Sequence, residues 1–264
     1  MLSARVLTAV LLLGALLAAL LLLPPAQWGV LVALVTALAA WEWGRLAGLS
    51  AGGCGTYAAA LGMAAGAVVF VPEAAHMVPA LLWIAALFWG LAAPLVLAAR
   101  RPLPGAARAA AGWIVLLPTA AALHQLRLEG PYLLLGFMAT VWVSDTAAYF
   151  AGRRFGRRKL APSVSPGKTW EGAAGAMLAV AAYGAAWGRW GLDMADPARL
   201  AVFVGFLLVL AMLGIVGDLF ESLMKRQAGV KDSGRVLPGH GGILDRVDAL
   251  TATLPVAALA FPKL

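Results

Sequence analysis

Long apolar runs, one after another, constrain this chain more than any other feature. They fall at about residues 6–23, 28–47, 55–72, 76–98, 108–124, 131–151, 172–190, 200–220 and 244–261. A helix rising 1.5 Å per residue needs about 17–25 predominantly apolar residues to cross the roughly 30 Å hydrocarbon layer of a bilayer. The pattern therefore predicts an all-α, polytopic integral membrane protein with about nine transmembrane helices. Composition agrees: 62% of the 264 residues are hydrophobic and 12% are charged. Soluble domains carry about 25% charged residues, so apolar surface on this scale has to face lipid or other spans.

The first run follows Arg5 and is longer than the apolar core of a secretory signal, and no small-x-small site precedes Gln27. It reads as a retained first span. Pro24-Pro25 and Arg100-Arg101-Pro102-Leu103-Pro104-Gly105 punctuate the chain as turns. Two regions are expected: membrane helices over 1–130, and a functional membrane region over 131–264 with charged loops at 152–171 and 221–243. With the N-terminus inside, only Arg127, Arg189, Arg199 and Lys263 of the 20 Lys and Arg fall outside. The positive-inside rule thus predicts an inner-membrane protein with both charged loops facing the cytoplasm and its C-terminus outside.

The net charge of +8 has the same source, positive loops against an anionic leaflet, so the bilayer is the expected partner and nucleic acid is not. Cys54 is the single cysteine, which excludes an internal disulfide and a cysteine-built metal site. Trp28, Trp41, Trp43, Trp113, Trp187 and Trp190 lie near span ends and read as interfacial anchors. Glu42 stands at i, i+3 from Arg45 and reads as half of a local ion pair.

The densest charge in the second half of the chain lies in Gly217–Leu250, between two apolar runs. Asp218 ends one run, and Asp245 and Asp248 open the next on a shared helix face. Carboxylates at a membrane surface are costly unless paired or bound to a cation. Hard oxygen ligands suit Mg²⁺, which takes one or two carboxylates together with substrate phosphates. Lys225, Arg226, Lys231, Arg235 and Arg246 supply cations for phosphate, and Gly229, Gly234, Gly239, Gly241 and Gly242 let backbone N–H groups approach an anion. Acids, bases and glycines together predict a metal–phosphate site.

A second segment precedes it. Ser144-Asp145-Thr146-Ala147-Ala148-Tyr149 places an acid late in the sixth run, where an ionisable residue is a functional candidate by default. After the basic run Arg153–Lys159 comes Ser165-Pro166-Gly167-Lys168-Thr169-Trp170-Glu171-Gly172. Gly167-Lys168-Thr169 is similar to the tail of a P-loop, but Pro162 occupies the place of the first glycine and no strand precedes it. What remains is a lysine and two hydroxyls at a helix start, a suitable anion site, with Glu171 complementing the helix dipole.

The spacing Ser222-x-x-Lys225-Arg226, Lys231-Asp232 and Pro238-Gly239-His240-Gly241-Gly242-x-x-Asp245-Arg246-x-Asp248 resembles the signature of the phosphatidate cytidylyltransferases, the CDP-diacylglycerol synthases. The Asp145 and Ser165–Gly172 segments resemble elements that precede that signature, so the likeness covers about Ser144–Leu250. It implies joining CTP to phosphatidic acid with release of pyrophosphate. It also implies metal-assisted attack by a lipid phosphate already ionised, so no strong general base is expected. By the resemblance, Asp218 and Asp245 hold Mg²⁺, and Asp248, Lys225 and Arg226 complete the catalytic set. Asp145, Ser165, Lys168, Thr169, Glu171, Lys231, Asp232, His240, Gly241, Gly242 and Arg246 are the expected substrate contacts. The likeness admits a second, monovalent cation and a homodimer. Rival readings are a CTP-using lipid kinase, a cytidylyltransferase for an isoprenoid-type lipid, and a transporter. The last predicts mid-membrane breaks and two related halves, which this sequence lacks.

Overall fold

A computed structural model describes residues 2–99, 101–234, 236 and 241–261. Each of the nine apolar runs is helical. The first three are α1 (Leu2–Leu22), α2 (Pro25–Leu46) and α3 (Ala51–Phe70). The fourth is bent, through α4 (Pro72–Ala75), α5 (Val78–Leu87), a π-helical turn at Phe88–Ala92 and α6 (Ala93–Ala99). Then follow α7 (Gly105–Glu129), α8 (Pro131–Phe155), α9 (Trp170–Ala186) with a π-helical end at Trp187–Gly191, α10 (Pro197–Gln227) and α11 (Leu244–Ala260). Prolines open α2, α4, α8 and α10, where the missing N–H costs no helical hydrogen bond. Asp196 caps α10 by accepting from the N–H groups of Ala198 and Arg199.

Six helical spans are long and apolar enough to cross a membrane among the described residues: α2, α3, the bent 72–99 span, α7, α8 and α10. The protein is therefore a multi-pass helical membrane protein, with six clear spans set against the nine anticipated. Helix α11 falls short for a physical reason. Its 17 residues open with Asp245 and Asp248 and include Thr251 and Thr253, yet Leu244, Ala249–Pro255, Ala257 and Ala258 are all buried. It packs against α2, α5, α7, α8 and α10, so neighbouring helices enclose it and it need not satisfy lipid.

Helix α10 has 31 residues, about 46 Å at 1.5 Å each, which exceeds the hydrocarbon layer. Its end therefore projects beyond the apolar zone, and residues 221–227, read above as loop, are helical. The all-helix expectation also lacked a short antiparallel hairpin, in which β1 (Lys159–Ala161) pairs with β2 (Ser165–Thr169). Thr169 ends the hairpin and caps α9, its hydroxyl oxygen accepting from the Gly172 N–H at 3.1 Å. Glu171 accepts from the Arg157 and Arg158 N–H groups and ties the strand entry to the same turn.

Small residues set the helix crossings that matter for the site. A Cβ on Gly172 would lie 2.8 Å from the Ala148 carbonyl oxygen, so α8 and α9 meet backbone to backbone. A Cβ on Gly217 would lie 2.9 Å from the Asp248 carbonyl oxygen, so α10 and α11 do the same beside Asp218. Phe220, one turn further along, is buried against Trp43, Phe88 and Trp89. Two of the tryptophans read as interfacial anchors are thus core residues. Trp28 and Trp43 are buried, and their indole N–H groups donate to the Leu123 and Arg108 carbonyls. Trp41 and Trp190 are exposed, as an interfacial role requires.

Candidate active site

The two polar segments, separated by the apolar stretch between Gly172 and Gly217, meet at one end of the bundle. The close α8–α9 crossing holds Asp145 opposite the hairpin, and α10 presents Asp218 between them. These elements enclose a cleft of ≈ 480 Å³ lined by Asp145, Tyr149, Arg153, Ser165, Lys168 and Asp218, among others. The Lys168 ammonium lies 2.7 Å from Asp218 Oδ2, and the Ser222 hydroxyl donates to Asp218 Oδ1 at 3.3 Å. Asp145 is exposed into the cleft, and its charge and that of Asp218 repel each other across it. Arg153 donates to the Tyr149 hydroxyl at 3.1 Å on the rim. Thr169 reaches the cleft wall, but its oxygen is already the cap of α9.

A second cluster lies one turn along α10. Lys225 sits 2.7 Å from Asp245 Oδ1 and 3.5 Å from Glu221 Oε1. The other oxygen of Asp245 accepts from the Ser233 N–H, the Ser233 hydroxyl and the Gly242 N–H, at 2.8–3.0 Å. Glu221 is buried, and neither of its oxygens has a hydrogen-bond donor. Its charge interacts with Asp248 and Asp245, and Asp248 also feels Asp218. Asp248 lies between the two clusters, half-buried.

A third acid completes the arrangement. Glu42 of α2 is 1% exposed and forms no ion pair with Arg45 among the described residues. The local pairing read above is thus replaced by a long-range one. Its Oε1 accepts from the Ile243 N–H at 3.1 Å, and its Oε2 accepts from the Leu244 N–H at 2.9 Å and from the Ser233 hydroxyl at 3.1 Å. Cβ atoms on Gly234 or Gly242 would collide with this carboxylate. The glycine-rich loop does let backbone N–H groups approach anions closely, and the anions are the chain's own Glu42 and Asp245.

Of the residues singled out by sequence, Asp145, Ser165, Lys168, Thr169 and Asp218 come together in the cleft. Lys225 and Asp245 form the neighbouring cluster, with Asp248 between. Arg226 turns instead towards backbone, donating to the Val164 and Val230 carbonyls at the base of the hairpin. Glu171 faces the Arg157–Arg158 backbone. Lys231, Asp232 and Arg246 are exposed. Gly241 has φ +82°, a backbone that side chains resist, and Gly242 packs on Glu42. His240 lies outside the described residues. Sequence reasoning left Tyr149, Arg153, Glu221 and Glu42 out of the site. The signal for Glu42 was its place as an acid in an apolar span.

Among the described residues, no three acidic, histidine or cysteine side chains close into a metal cage. The donor set still fits a hard divalent cation. All candidate ligands are carboxylate oxygens, Glu221 keeps two buried oxygens that accept no hydrogen bond and has Lys225 at 3.5 Å, and lysine ammonium groups stand in for cations on Asp218 and Asp245.

The description "Cytidylyltransferase family" fits residues 3–262 of the chain. A phosphatidate cytidylyltransferase of Pseudomonas aeruginosa is 42% identical over 98% of this chain and 96% of that protein. One of Haemophilus influenzae is 34% identical over 97% and 96%. One of Thermotoga maritima is 40% identical over 47% of each chain.

Proposed function

Because the chain belongs to the cytidylyltransferase family, among the phosphatidate cytidylyltransferases, we propose that the Lys168–Asp218 cleft is where CTP meets phosphatidic acid. The reaction moves a cytidylyl group from CTP to the lipid phosphate, giving CDP-diacylglycerol and pyrophosphate. An oxygen of the lipid phosphate attacks the α-phosphorus of CTP. The bond from that phosphorus to the bridging oxygen breaks, and pyrophosphate leaves with the electron pair.

The chain's main task is to bring two anions together and to hold charge on the leaving group. Lys168 is fixed by Asp218 at the cleft wall, and it donates to the triphosphate from there. Arg153, braced on Tyr149 at the rim, meets a phosphate entering from the membrane side. Ser165 offers a hydroxyl beside Lys168. Lys225, held by Asp245 and Glu221, supplies the next cation along α10. Asp218 and Asp245 are the proposed holders of Mg²⁺, with Asp248 and Glu221, whose oxygens accept no hydrogen bond, beside them. Bound there with the phosphates, Mg²⁺ supplies the positive charge that makes pyrophosphate a better leaving group. The attacking phosphate is already ionised, so no residue has to remove a proton.

Placement in the membrane follows the same logic. The diacyl tails stay in the bilayer while the headgroup enters the cleft from the side, and the site faces the cytoplasm, where the nucleotide is. The observation that carries this reading is the meeting of Asp145, Lys168 and Asp218, from separate motifs, in one cleft at the polar end of an apolar bundle. The test is turnover of the purified protein with labelled CTP, phosphatidic acid and Mg²⁺, with EDTA and an isoprenoid phosphate as comparisons. A lipid-soluble cytidine product that needs phosphatidic acid and Mg²⁺ supports it. A product formed only with the isoprenoid phosphate moves the substrate, and no product from folded protein refutes it.

A further inference from the structure

Glu42 belongs to α2, yet among the described residues the hydrogen bonds to its carboxylate come from residues 191 to 202 positions further along the chain. Its donors are the N–H groups of Ile243 and Leu244, the first turn of α11, and the hydroxyl of Ser233. The Ser233 backbone N–H in turn donates to Asp245, which holds Lys225. A helix N-terminus of this kind binds anions, including phosphate. Here the place is filled: Glu42 and Asp245 together take the N–H groups of Ser233, Gly242, Ile243 and Leu244. Substrate phosphate cannot use those donors while the two carboxylates are in place.

We propose that Glu42 is a positioning residue for cytidylyl transfer, a buried internal anion that ties Ser233 to the Ile243–Leu244 turn and so fixes Asp245 and Lys225 beside the cleft. This rests on reading the site as the phosphatidate cytidylyltransferase centre. It assigns Gly234 and Gly242 a different role from phosphate binding. Gly234 has no positive φ, and the three atoms nearest to its missing side chain belong to Glu42. Gly234 is therefore glycine because Glu42 is there, and its backbone alone would accept alanine.

That dependence makes the claim testable. Glu42→Gln, Glu42→Ala, Gly234→Ala and the double variant Glu42→Ala/Gly234→Ala are compared in detergent. Two readouts are taken: kcat/KM for CTP and amide hydrogen exchange over residues 229–247. Glu42→Gln keeps the volume but loses acceptors, and Gly234→Ala displaces the carboxylate. Each is expected to lower kcat/KM by about 100-fold, the scale of a misplacement of about 1 Å at a reacting group. Each should also speed exchange at Ser233 and Gly242–Leu244 while exchange within α7 and α8 stays as in wild type. In the Glu42→Ala background the space is open, so adding Gly234→Ala should cost no further activity. Glu42→Gln within about twofold of wild type, unchanged exchange in the loop, or losses that multiply in the double variant would each overturn the proposal. The exchange readout needs no turnover. A wild-type protein inactive on phosphatidic acid would refute the substrate reading and leave the clamp still under test.

Discussion

Lys225 lies between two buried acids, Glu221 and Asp245, and its removal separates this account from a generic surface charge cluster. Its side chain is 12% exposed, that of Asp245 9% and that of Glu221 4%. Removing one partner of a buried ion pair costs about 3–5 kcal/mol, because the charge left behind stays out of water. Lys225→Met keeps the apolar stem and deletes the charge. The expected loss is in that range, a fall in thermal midpoint on the order of 10 °C for a chain of this size. Lys168→Met breaks a pair of the same 2.7 Å length, but its side chains are 23% and 31% exposed and water screens them. Its cost should stay below about 1 kcal/mol. The contrast is therefore between two lysines at equal distance from their carboxylates. Because Glu221 has no hydrogen-bond donor, Lys225→Met/Glu221→Gln should regain at least about 1 kcal/mol over Lys225→Met. The assay is thermal unfolding in detergent followed by helicity. A Lys225→Met protein as stable as Lys168→Met, or a double variant no better than the single, would refute the burial argument.

Other outcomes follow from the same geometry. Asp218→Asn or Asp245→Asn should abolish Mg²⁺-dependent turnover while the helical spectrum persists; a near-normal rate in either would remove that carboxylate from the metal assignment. Gly172→Val should force α8 from α9, since even a Cβ there meets the Ala148 carbonyl at 2.8 Å; a steady-state KM for CTP equal to wild type in the folded variant would contradict the crossing. A reporter fused after Leu264 should lie outside the cytoplasm if nine spans start inside; a cytoplasmic signal would mean fewer or differently arranged spans.

Much of the fold was legible because a bilayer demands apolar runs of fixed length, and every such run proved helical. The sequence could not show which helix is enclosed. The acids and threonines of α11 lower its hydropathy, and only packing reveals why that is tolerated. The 159–169 hairpin was hidden because it follows a basic run and carries Pro162 and Pro166, which suggest loop. Within the site, Asp218, Lys168 and Asp245 were visible as charges beside spans. Their pairing with Asp218–Lys168 across two motifs and Asp245–Lys225 within one was not, because both lysines had several acids in reach by sequence alone. Glu42 was misread for a related reason. Arg45 offered a neighbour at helical spacing, while the true donors lie in a loop some two hundred residues away.

The central claim is that the lipid phosphate attacks the α-phosphorus of CTP, and the destination of each CTP phosphate tests it most directly. Purified protein is given phosphatidic acid, Mg²⁺ and CTP labelled in separate reactions at the α- or the γ-phosphate, and the lipid and aqueous phases are counted. The account predicts α-label in the lipid and γ-label in water as pyrophosphate. Label from the γ-phosphate in the lipid would mean that the site transfers the terminal phosphoryl group, as a CTP-using kinase does, and would contradict it.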